Sequence, residues 1–96
     1  MRLTSVEIKI IQSTVKAIYK DARIWLFGSR VDDRKKGGDI DLFIETTSNT
    51  TLKDKLRFLV QLEKKGIFRK VDLIIKNPDS EYRTIFDTAR NTGVLL

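Results

Sequence analysis

Three acidic residues stand out by type and spacing. Asp39 and Asp41 are separated by one residue, and Asp72 interrupts the otherwise apolar run 71–75. Side chains alternate along a strand, so Asp39 and Asp41 share a face, with Cα atoms roughly 6.5–7 Å apart. Their carboxylates can converge on one cation, while Ile40 and Leu42 point the other way, into a core. Aspartate is a poor strand former, and two carboxylates aimed at one point repel unless a cation neutralises them. The competing account is a solvated strand face beside a loop. Asp72 bears on the choice, because a charge inside an interior strand is costly unless it is paired or metal-bound. Its own bland alternative is an ion pair with a neighbour such as Lys70. If the two strands are parallel neighbours, Asp72 lies beside the Asp39/Asp41 face.

Upstream, the apolar segment 24–27 ends in Gly28-Ser29-Arg30. A glycine directly after a strand allows close approach of a ligand to the backbone. The Ser29 hydroxyl and amide can cradle phosphate oxygens, and Arg30 can add a charge-assisted contact. Alone, such a Gly-Ser is an ordinary turn. Here it stands 11 residues ahead of Asp39 on the preceding strand.

Composition limits what the acids can bind. The 96 residues contain neither cysteine nor histidine. This excludes thiolate ligands, an imidazole base and the usual zinc donor sets. Any metal must sit on oxygen, as magnesium, manganese or calcium do. Length, with 41% hydrophobic and 33% charged residues, fits one globular domain over 1–96. The net charge of +6 serves solubility or attracts an anionic partner. It concentrates at Arg34-Lys35-Lys36, Lys64-Lys65 and Arg69-Lys70. Basic residues do not alternate with aromatics and no recognition helix is evident, so direct nucleic-acid binding is not expected. No apolar run reaches the length of a membrane span, and the start lacks a signal-peptide core. Cytoplasmic residence is the expectation.

The elements that must position these residues follow from periodicity. Residues 4–19 read as a helix, with a Thr4/Glu7 capping box, a Leu3–Ile8 staple and the stripe Ile8, Ile11, Val15 and Ile18. Strands are predicted at 23–27, 39–45 and 68–76. A second helix is predicted over 51–65, capped by Thr50 or Thr51, stopped at Gly66, and buried through Leu52, Leu56, Leu59 and Val60. A third helix carries Tyr82, Ile85, Phe86 and Ala89 and ends at Gly93, leaving an apolar tail 94–96. The order α-β-β-α-β-α implies an α/β or α+β fold. Its small mixed sheet has strands 39–45 and 68–76 parallel and the first two strands antiparallel, with helices packed on it.

Together, Phe27-Gly28-Ser29-Arg30, Gly38-Asp39-Ile40-Asp41-Leu42, Val71-Asp72-Leu73 and the end 89–95 resemble the DNA polymerase beta-like nucleotidyltransferase superfamily. The likeness is strongest to its small minimal nucleotidyltransferase (MNT) domains. The chain departs from the common pattern at Gly38, where many members have serine, and at Asp32, where many have a second arginine. Its loop is also about one residue shorter. Arg34, Lys35 and Lys36 are the candidates to replace the missing arginine. The resemblance implies two magnesium (or manganese) ions on Asp39, Asp41 and Asp72, with the nucleoside triphosphate's β- and γ-phosphates on Gly28 and Ser29. It also implies transfer of a nucleoside monophosphate, AMP from ATP, to a hydroxyl. Single-domain members often pair with a helical HEPN-type protein as antitoxins, so the acceptor is expected on such a partner. The alternatives are a module that neutralises its partner by contact and a transferase acting on a small molecule.

Overall fold

The computed structural model describes residues 3–19, 21–28 and 39–96. Helix α1 (Ser5–Ile18) starts where the sequence places it. The Thr4 hydroxyl accepts from Glu7 N and the Glu7 carboxylate accepts from Thr4 N, which satisfies two orphan helix-end donors. Burial alone would push the Glu7 pKa up, but bonds from the Thr4 amide and Arg69 outweigh it and hold the group below its ordinary value. Helix α2 (Leu52–Lys64) repeats the capping device with Thr51 and Asp54. Gly66, at φ 115°, follows it and turns the chain out of the helix.

Strands β1 (Arg23–Phe27), β2 (Ile40–Glu45), β3 (Val71–Lys76) and β4 (Val94–Leu95) form one sheet in the order β3-β2-β1-β4. As expected, β1 and β2 are antiparallel and β2 and β3 parallel. Helix α3 (Thr84–Thr92) precedes β4. The strand period of two assigns the two sheet faces. Ile40, Leu42, Ile44, Ile24, Leu26 and Leu73 pack with Ile11 and Val15 of α1 and Phe58 and Leu62 of α2. Trp25, Phe27 and Phe43 pack on the opposite face with Phe86 and Ala89 of α3. The sheet therefore lies between α1/α2 and α3, with an apolar layer on each side.

Four expectations are corrected. The core face of α2 is Phe58 and Leu62, whereas Leu52, Leu56 and Val60 are exposed. This helix carries two apolar lines, and the sheet takes only one. Strand β3 begins at Val71 rather than at residue 68: Phe68 is exposed, and Arg69 turns aside to pair with Glu7 of α1. Tyr82 precedes α3 and is exposed, with its hydroxyl bonded to the Asp87 carboxylate. The tail is the edge strand β4, joined antiparallel to β1 at Trp25↔Leu95 and Leu26↔Val94.

Candidate functional site

Residues 39, 41, 43 and 45 lie on the α3 face of β2 by alternation, and the same face of β3 carries Asp72, Ile74 and Lys76. At one end of this face the register forms a row across three strands. Asp41 is the partner of Phe27 in β1 and of Asp72 in β3. Asp39 stands one residue before β2, where the amide of Ile40 donates to Lys70 O at 2.9 Å. The backbone thus gathers all three acidic residues singled out by sequence to one face at one corner of the sheet. Phe43, fully buried, stacked on Phe86 and in tilted contact with Trp25, anchors β2 two residues behind Asp41.

Gly28 closes the corner. It leaves β1 at φ 75°, and a Cβ built on it would stand 2.9 Å from Asp41 Cγ and closer still to Oδ2. The Asp41 carboxylate therefore lies against the bare backbone of Gly28, in space that any other residue would fill. Ser29 and Arg30, the other expected phosphate contacts, lie outside the described residues, as do Arg34, Lys35 and Lys36.

Asp72 is half exposed, and its Oδ1 is 3.9 Å from Lys70 Nζ. The pairing that competes with metal binding thus exists. Between exposed side chains it is worth little, so giving it up costs little once a cation neutralises the repulsion between Asp72 and Asp41. Among the described residues no three acidic side chains stand together as a metal-holding group. The donor set nevertheless suits a hard divalent cation: only carboxylate oxygens, two of them on directly paired residues, beside an uncovered glycine backbone. Sequence spacing did not reveal what braces this face at its other end. Arg90 of α3 donates to Glu45 Oε2 at 3.0 Å and Asp87 Oδ1 at 2.9 Å and lies over the Phe43 ring. The hydrogen bond that Arg90 donates to Glu45, opposed by partial burial and aided by the nearby negative charges, raises the Arg90 pKa. Glu45 continues the odd-numbered series of Asp39 and Asp41, the one signal that placed it on their face.

Residues 8–96 match the family model described as polymerase beta, nucleotidyltransferase. The chain belongs to that family. This assignment spans every element of the fold except the first turn of α1, and it makes the chain a nucleotidyltransferase domain. No curated protein matches the chain. Within this nucleotidyltransferase, no helix among the described residues is long and apolar enough to cross a membrane.

Proposed function

We propose that this nucleotidyltransferase moves AMP from ATP to a hydroxyl on a partner protein, as the antitoxin of a cytoplasmic HEPN/MNT-type pair. The observation that carries the transfer reading is the direct register of Asp41 with Asp72 beside the bare backbone of Gly28. Asp39 and Asp41 would hold the cation of the nucleotide, and Asp72 would complete the set. Magnesium or manganese there supplies positive charge against the attacking and leaving oxygens of an in-line displacement. Gly28 and Ser29 bind the β- and γ-phosphates, and Arg30 adds a charge-assisted contact to them. Asp72, the most exposed of the three acids, faces the arriving acceptor. It orients the hydroxyl and takes up its proton as the oxygen attacks the α-phosphorus and pyrophosphate leaves. No step needs an imidazole, in keeping with a chain that has no histidine.

The protein acceptor is supported by the minimal-domain resemblance. The core of the seven elements goes into the sheet and its two coverings. The apolar end likewise belongs to the sheet as β4 and gives this reading no separate support.

Calorimetric titration of magnesium-ATP into the wild type and into Asp39→Ala/Asp41→Ala tests the nucleotide site. Magnesium-dependent heat is expected from the wild type alone. Co-expression with a helical partner then tests transfer, read as a mass gain of one AMP on the partner that is absent with the double variant. Neutralisation of the partner by that variant, without the mass gain, would place the function in contact rather than chemistry.

A further inference from the structure

We propose that the outward face of α2 is a docking surface for one amphipathic helix of another protein, apolar along the contact and acidic along its margins. The proposal rests on the reading above only in supposing that the chain works against a partner protein. Helix α2 has two apolar lines. Phe58 and Leu62 enter the core, whereas Leu52, Leu56 and Val60, spaced by four, are 71%, 54% and 48% exposed. Leu59, three residues beyond Leu56, is partly buried and leads into a groove of about 480 Å³ floored by Ile67 and Val71. Phe68, 83% exposed, stands on its wall. Anchors at i and i+4 beside a groove are the pattern by which one helix receives another. An apolar patch of this kind on a small domain marks a contact site.

Charge indicates what covers the patch. Lys53 and Lys64, with Arg57 between them beside Asp54, follow the apolar line on one side of the helix by their spacing, and Lys70 lines the groove on the other next to Arg69, which is held by Glu7. Asp54 is committed to the α2 cap and to Arg57, and Glu63, the other acid of this helix, stands singly on the groove among the basic residues. A second copy of the chain would bring two basic margins together. A helix with glutamate or aspartate on either side of its apolar face meets both margins with opposite charge.

The test uses the full chain and a labelled synthetic helical peptide about 20 residues long, with leucines at four-residue spacing flanked by glutamates. Its counterpart carries lysine in place of each glutamate. By fluorescence anisotropy the acidic peptide should bind with Kd on the order of 10 μM. Binding should be at least about ten-fold weaker for the lysine peptide, for Leu56→Asp, and for Lys53→Glu/Arg57→Glu/Lys64→Glu. These positions are exposed, so the variants should keep wild-type circular dichroism. Asp41→Asn should bind the peptide as the wild type does, which separates this surface from the transfer chemistry. Equal binding of both peptides, wild-type binding by folded Leu56→Asp, or no binding by the folded wild type would each overturn the proposal. So would a wild-type dimer in sedimentation that Leu56→Asp converts to monomer, since the occupant would then be a second copy.

Discussion

Replacing Gly28 by alanine perturbs the corner at its tightest point. Two effects should add. Left-handed backbone at φ 75° disfavours any residue with a Cβ by about 1–2 kcal/mol. The new methyl also meets the Asp41 side chain at 2.9 Å from Cγ and nearer to Oδ2, so the carboxylate must leave its rotamer at a further ~0.5–1.5 kcal/mol. The single variant should therefore lose roughly 2–3 kcal/mol in urea denaturation, a fall in Tm of about 10–20 °C at the sensitivity of a domain this size. The second effect requires the Asp41 carboxylate, whereas the first does not. In the cycle Gly28→Ala, Asp41→Ala and the double variant, the double should therefore be more stable than the sum of the singles by about 1 kcal/mol. Additivity within about 0.3–0.5 kcal/mol would refute the claim that Asp41 occupies the space that Gly28 leaves open.

Tyr19 is buried with a hydroxyl that finds no hydrogen-bond partner among the described residues, and burial, then the nearby Asp54, raises its pKa from 10 to about 12. Tyr19→Phe should raise stability by about 1 kcal/mol at neutral pH. The raised value means that the wild type loses stability as pH climbs from 10 towards 12, and the variant should lack that loss in thermal melts across the range. Glu7→Gln removes charge from both the α1 cap and the Arg69 pair and should lower stability by about 1–3 kcal/mol at pH 7. Because the Glu7 pKa is held below 4.5, the wild-type advantage is present above that value and lost as pH falls through the folded-state pKa. The two proteins should converge in acid.

What could be read from sequence was what local chemistry dictates. The Thr4/Glu7 box named the start of α1 because both bonds lie within four residues. Asp39 and Asp41 declared a shared face because alternation is a property of one strand. The face of α2 was different. Leu52, Leu56, Leu59 and Val60 form as regular a line as any, and only the position of the sheet determines that Phe58 and Leu62 go inward, with Leu59 alone of that line packed against the core. Strand β4, two residues long, is too short to show a period and exists through its pairing with β1. At the site, the residue types were legible, but the contact between Gly28 and Asp41 was not. It depends on the antiparallel register of two strands, set by Phe27↔Asp41.

The α3 face of the β2/β3 pair has three rows. Asp41 is paired with Asp72, Phe43 with Ile74, and Glu45 with Lys76. The last row joins opposite charges at 4.0 Å, and the middle row is apolar, in the core beneath α3. Both follow what stabilises directly paired residues in a sheet. The first row does the opposite and sets two carboxylates on directly paired residues, with an exposed Lys70 at 3.9 Å from Asp72. A lysine in place of Asp72 would reproduce the opposite-charge pairing of the third row, so strand pairing alone does not call for an acid there. The like-charge row also lies where β1 gives way to the glycine whose missing side chain makes room for Asp41. Two departures from what packing and strand pairing would select thus fall on adjoining residues. Local rules broken together at one place are the pattern expected of a functional site, which is what the proposed transfer reading requires of this corner.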